Sequence, residues 1–196
     1  DLTLVDCGLT SLKGFPQTIN GNFNCSNNEL TSLEYGPTIV FGKYNASNNK
    51  LTKIGVQLKD VYDLDLDNNK LSNLSGTPNT IHNLSVEKNR LTTFEGSPSY
   101  IDNYLNVSHN RIDSLVGFPK RVDGSVSLSY NDITSLKDIQ RIGGYYRLNG
   151  NHIPNKVLRY INEENFIKDM KEYNIWDNDI FNSKRFDMLI KELYNK

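Results

Sequence analysis

Along this chain the alternation of apolar and polar residues repeats every 20 to 21 positions, a far longer period than that of a single strand or helix. One column holds Asn28, Asn49, Asn69, Asn89, Asn110, Asn131 and Asn151. Two residues after each stands an aliphatic, namely Leu30, Leu51, Leu71, Leu91, Ile112, Ile133 and Ile153. Three further on comes a second apolar column of Leu33, Ile54, Leu74, Phe94, Leu115 and Leu136. An earlier copy puts Leu9 and Leu12 in the aliphatic columns and Cys7 in the asparagine column. Just before each asparagine the apolar residues alternate with polar ones, as in Leu84, Ser85 and Val86, which predicts one short strand per copy. The inward column of that strand reads Leu4, Cys25, Ala46, Leu66, Val86, Val107, Leu128 and Leu148, so both cysteines are expected to point inward. A proline near the middle of most copies, at Pro37, Pro78, Pro98 and Pro119, forbids a helix across the return leg. No copy buries much by itself, but stacked copies join their apolar columns into one core. The buried asparagines are then expected to form a ladder that satisfies backbone groups of the turn after each strand.

From Pro154 the period changes to that of helices. Val157, Leu158 and Ile161, then Phe166, Ile167 and Met170, then Phe186, Leu189, Ile190 and Leu193 behind an N-cap at Ser183, predict two or three short helices. Two regions follow: repeats over 1–153, about eight with the first and last partial, and a helical cap or tail over 154–196. A cap is expected because a solenoid must cover its last open edge.

The run Ile81-His-Asn-Leu84-Ser-Val86-Glu-Lys-Asn89-Arg-Leu91 fits the pattern L-x-x-L-x-L-x-x-N/C-x-L position for position, and over residues 1–153 the chain resembles the leucine-rich repeat family. The short unit, with its Gly-x-Pro step at Gly76/Pro78, Gly96/Pro98 and Gly117/Pro119, is similar to the bacterial and bacteriophage kind. The resemblance implies an α/β repeat fold: a leucine-rich-repeat solenoid with a parallel concave β-sheet, a non-helical convex side and a short helical C-terminal cap. It also implies non-catalytic protein binding through the concave face, and its phage-like character suggests an inhibitor of a host defence protein acting in the host cytoplasm. The rival reading is a self-associating structural subunit of a virion or cell-surface layer, joined through the first strand, Asp1 to Val5.

Charge narrows the partners. With 22 basic and 23 acidic residues in 196 there is no field to gather phosphates, so neither nucleic acid nor an acidic membrane is an expected partner. No run is apolar enough to span a bilayer, and two cysteines favour a reducing compartment, so the expected location is cytoplasmic. Asparagine supplies 27 residues, and the outward strand columns are largely Asn and Ser. Two groups stand out against them. Asp63, Asp65 and Asp67 alternate along one strand with Glu87 one strand over, a strip better suited to a basic partner than to calcium, because carboxylates in a flat row converge poorly on one ion. Tyr104, His109, Tyr130, Tyr145 and Arg147 gather toward the C-terminal half of the same face and form the preferred hot spot, since Tyr and Arg combine large contact area with a directional polar end. No catalytic residues, metal site or cofactor are expected: His82, His109 and His152 fall in unlike columns, and neither G-x-S-x-G, H-E-x-x-H nor a phosphate loop occurs.

Overall fold

The computed structural model describes residues 1–194. Ten short strands form one parallel sheet: β1 (Leu2–Thr3), β2 (Thr18–Ile19), β3 (Phe23–Asn24), β4 (Ile39–Asn45), β5 (Asp60–Asp65), β6 (Thr80–Ser85), β7 (Tyr100–Asn106), β8 (Arg121–Val122), β9 (Val126–Ser127) and β10 (Tyr146–Arg147). The main path runs β1-β3-β4-β5-β6-β7-β9-β10, with β2 beside β4 and β8 beside β7. The chain is thus a parallel β-solenoid of about seven turns, followed by a short C-terminal helical region. Among the described residues no helix precedes Asn155, so the return legs are turns and bends, as the mid-repeat prolines require.

Register follows the repeat. Asn24, Asn45, Asp65, Ser85, Asn106, Ser127 and Arg147 pair successively across the sheet. The alternation between 20 and 21 residues is absorbed within the strands: Val40 pairs Val61 and Lys43 pairs Asp63, and Ile81 pairs Ile101 while Asn83 pairs Tyr104. Each irregularity places one extra residue on one strand, which is a β-bulge. The two apolar columns after each asparagine, from Leu30 to Ile153 and from Leu33 to Leu136, are buried and join the inward strand residues in a single core.

The asparagine column is the polar spine of that core. Asn69 is representative: its Nδ2 donates to the carbonyls of Ala46, Leu66 and Asp67 at 3.0, 3.0 and 3.2 Å, and its Oδ1 accepts from Leu51 N–H at 3.0 Å. Each amide therefore ties its own turn to the preceding one. Asn28, Asn49, Asn89, Asn110, Asn131 and Asn151 repeat the arrangement. Cys7 does not. It is exposed rather than inward, because it follows β1 at the edge of the described sheet, whereas Cys25 is fully buried and its thiol is pushed up to about 12 by burial.

The C-terminal region holds α1 (Asn155–Leu158), α2 (Phe166–Glu172) and α3 (Ser183–Leu189), which continues as a π-helical turn over Ile190–Tyr194. It also holds a hairpin the periodicity did not predict, β11 (Trp176–Asp177) against β12 (Ile180–Phe181), with Asn178 and Asp179 in left-handed conformation at its turn. The cap of α3 falls one residue earlier than expected: Asn182 Oδ1 accepts from Arg185 N–H at 3.0 Å, leaving Ser183 as the first helical residue. Val157, Ile161, Phe166, Met170, Phe186, Leu189 and Ile190 are buried as the spacing predicts, Leu158 and Ile167 are half-buried, and Leu193 is exposed. Lys137 of the last turn meets Asp179 of the hairpin at 2.6 Å, one of the links between solenoid and tail. No described helix is long and apolar enough to cross a membrane.

Candidate functional site

The open side of the sheet is built from the residues that alternate with the core columns. On β5 and in the two residues after it, the inward Leu64 and Leu66 leave Asp63, Asp65 and Asp67 on the other side, each half-buried. These carboxylates are engaged by their own neighbours. Lys43 Nζ meets Asp65 Oδ2 at 2.7 Å; Asn83 Nδ2 donates to Asp63 Oδ1 at 2.8 Å, and His82 Nδ1 lies 3.1 Å from the same oxygen. Asp67 Oδ1 accepts from Ser85 Oγ and from Glu87 N–H, both at 2.7 Å. Glu87 in turn accepts from Asn106 Nδ2 at 3.0 Å and has Lys88 Nζ at 3.6 Å. Burial raises the Asp67 carboxyl above its ordinary range, the Ser85 hydrogen bond opposes that rise, and the charge of Asp65 adds to it. The acidic strip expected as a docking patch is thus spent mainly on joining neighbouring turns. Among the described residues no cluster of three or more His, Cys, Asp or Glu could hold a metal ion.

The five residues of the expected hot spot divide into two groups. Tyr104 and Tyr145 occupy one column with Ser125 between them, so they stand two strands apart, about 10 Å. Tyr145 is 67% exposed, Tyr104 is half-buried, and Arg147, two residues beyond Tyr145, is exposed with no ion pair among the described residues. His109 and Tyr130 lie roughly 15 Å further along the strands, in the turn that follows them. There the rings stack with centroids 4.4 Å apart and planes 15° apart.

That turn has a backbone requirement of its own. Asp6, Asn27, Asn48, Asn68, Lys88, His109 and Tyr130 all adopt φ between 54° and 57°. Asparagine, and to a lesser degree histidine, tolerates this left-handed region, whereas Lys88 and Tyr130 are held there at a cost of about 1 kcal/mol each. In the next turn the position is Gly150, with φ 75°, where a Cβ would fall 2.5 Å from Tyr130 Cδ1. Tyr130 therefore lies between the His109 ring and a bare glycine, and its side chain is still 56% exposed.

The sequence reading missed a further column at the other end of the strands. Phe41, Tyr62 and His82 are spaced at the repeat interval of 21 and 20, just after the inward residues Val40, Val61 and Ile81. Phe41 is 56% and Tyr62 is 52% exposed, and Tyr62 stacks on His82 with centroids 4.5 Å apart. The spacing was visible, but these residues sit where the strands bulge, so simple alternation from Asp63 skips them. The open side thus carries aromatic pairs at both ends of the strands, with the engaged acidic strip and Asn/Ser columns between.

Neither a protein-family model nor a curated protein matches the chain.

Proposed function

We propose that this chain is a leucine-rich-repeat type of solenoid that binds a partner protein, without catalysis, through the open face of its sheet. The repeat of 20 to 21 residues and the asparagine spine, which bonds both its own turn and the one before, support the family reading. One observation carries the binding reading: Phe41, Tyr62 and Tyr145 beside the open columns of the sheet, and Tyr130 in the turn after it, are each more than half exposed among columns that are otherwise largely polar. Large rings standing in water in separate turns add nothing to the core, whereas in an interface they are the residues that concentrate affinity. Tyr130, held in the left-handed region where asparagine serves other turns, points the same way, since strain of that kind is found where a side chain has a task.

A partner recovered on the wild-type chain is expected to be lost on a variant carrying Tyr62→Ser, Tyr130→Asn and Tyr145→Ser with an unchanged circular dichroism spectrum. A partner held equally by both would remove the reading, and so would the absence of any partner on the wild type.

A further inference from the structure

The residue after each spine asparagine stands just past the turn that carries Lys88, His109 and Tyr130. In four successive turns it is Lys50, Lys70, Arg90 and Arg111, and all four are exposed. Their backbones stack in register: the N–H groups of Lys70, Arg90 and Arg111 donate to the carbonyls of Leu51, Leu71 and Leu91 at 2.8, 2.9 and 2.9 Å. Neighbouring turns of a parallel sheet repeat at about 4.8 Å, so the four cations form a ladder roughly 15 Å long. Like charges set side by side repel, and exposed heads add nothing to the core that would offset the repulsion.

Most charges near this ladder cancel in pairs, but those in its middle do not. Lys50 is paired with Glu29, Lys88 lies 3.6 Å from Glu87, and Asp132 lies 3.8 Å from His152. Asp67, on the strand side of the turn, accepts from Ser85 and from Glu87 N–H. Lys70, Arg90 and Arg111 make neither an ion pair nor a side-chain hydrogen bond among the described residues. The column beside them, Thr52, Ser72 and Thr92, is uncharged until Asp113, which leaves three free cations against one carboxylate. Glu29 at one end and Asp132 at the other bound the ladder. A long polyanion such as a nucleic acid would run onto carboxylates at both ends, whereas an anion of about three charges fits between them. An extended polypeptide sets alternate side chains on one side about 6.8 Å apart, so three carboxylates span about 14 Å, within reach of the long Lys and Arg arms.

We propose that the ladder of Lys70, Arg90 and Arg111 takes a short, extended acidic segment of a partner protein, one carboxylate to each cation. This rests on the protein-binding reading and adds to it the chemistry of the partner. The test uses the full chain and an acetylated, amidated eight-residue peptide alternating glutamate and serine, followed by amide chemical shifts. Saturable binding is expected, with shifts centred on residues 70, 90 and 111, and it should weaken about tenfold between about 20 and about 200 mM salt. Glutamine for glutamate in the peptide should weaken binding about tenfold or more, and so should Lys70→Gln, Arg90→Gln and Arg111→Gln together in the protein. All three side chains are exposed, so that variant keeps the fold. Absence of binding, equal binding of the glutamine peptide, unchanged binding by the variant, shifts centred elsewhere, or tighter binding of an eight-nucleotide single strand would each overturn the proposal. Any of these would leave capture of a partner by the aromatic rings standing, so the two readings fail separately.

Discussion

A buried polar side chain is decided by its partners, and two residues of this core give opposite answers. Asn69 is almost fully buried and every polar atom of its amide is used, whereas Tyr44 is fully buried with a hydroxyl that meets no partner. Asn69→Ala leaves Leu51 N–H and the Ala46 carbonyl without that amide inside the core, so it is expected to cost about 3 kcal/mol in urea unfolding. Tyr44→Phe removes an unanswered hydroxyl and keeps the ring against Phe23, 5.0 Å away, so it is expected to raise stability by about 1 kcal/mol in the same assay. Asp67 adds a dependence on pH. Its folded-state pKa is raised, so folding favours the protonated form: the associated stability is fully present below the unfolded carboxylate pKa and is lost as pH rises through the folded value. Asp67→Asn keeps an oxygen to accept from Ser85 and Glu87. It is therefore expected to be more stable than wild type at pH 7, with the gap closing near pH 3 in urea titrations at the two pH values.

Elements here are short because each is completed by its neighbour. β1, β3, β9 and β10 are two residues each, and α1 is four, lengths that no isolated strand or helix would hold in water. The end of the array is where completion depends on a single contact. Asn162→Ala leaves Tyr146 N–H and its carbonyl without their partners at the edge of β10. It is expected to cost about 2 kcal/mol and to loosen the C-terminal region first. Trp176, buried in that region and the only tryptophan, provides the readout: its fluorescence transition should move to lower urea than the far-ultraviolet circular dichroism transition, and coincident transitions would argue against a cap held by this contact. The helical spacing in 154–196 was legible as helices, yet the hairpin at Trp176–Phe181 was not, because its strands are two residues long and its turn residues, Asn178 and Asp179, are read as loop whatever they connect.

For the molecule as a whole, stability is distributed along one axis, since each turn touches only those on either side. The first turn is covered on one side: Leu2 and Leu4 are half-buried while Leu64 and Leu66 in the middle are fully so. Amide hydrogen exchange is therefore expected to be about a hundredfold or more faster at Leu4 than at Leu66, and uniform protection would contradict a one-dimensional array. What the sequence alone determined is the repeat: the spacing from Asn28 to Asn151, the inward columns, the outward columns on which Tyr145 and Arg147 stand, and the change to helices after Pro154. These follow from periodicity, which is a property of each residue's place in its own turn. What only the tertiary structure decided depends on what lies in the neighbouring turn. The exposure of Cys7, the use of Asp63, Asp65 and Asp67 to bind adjacent strands, the stacking of Tyr62 on His82, and the closing of Tyr146 by the Asn162 amide are all of this kind. A strand edge or a carboxylate is free or satisfied according to the residue about twenty positions away that packs against it, and column spacing names that residue without saying whether its side chain reaches.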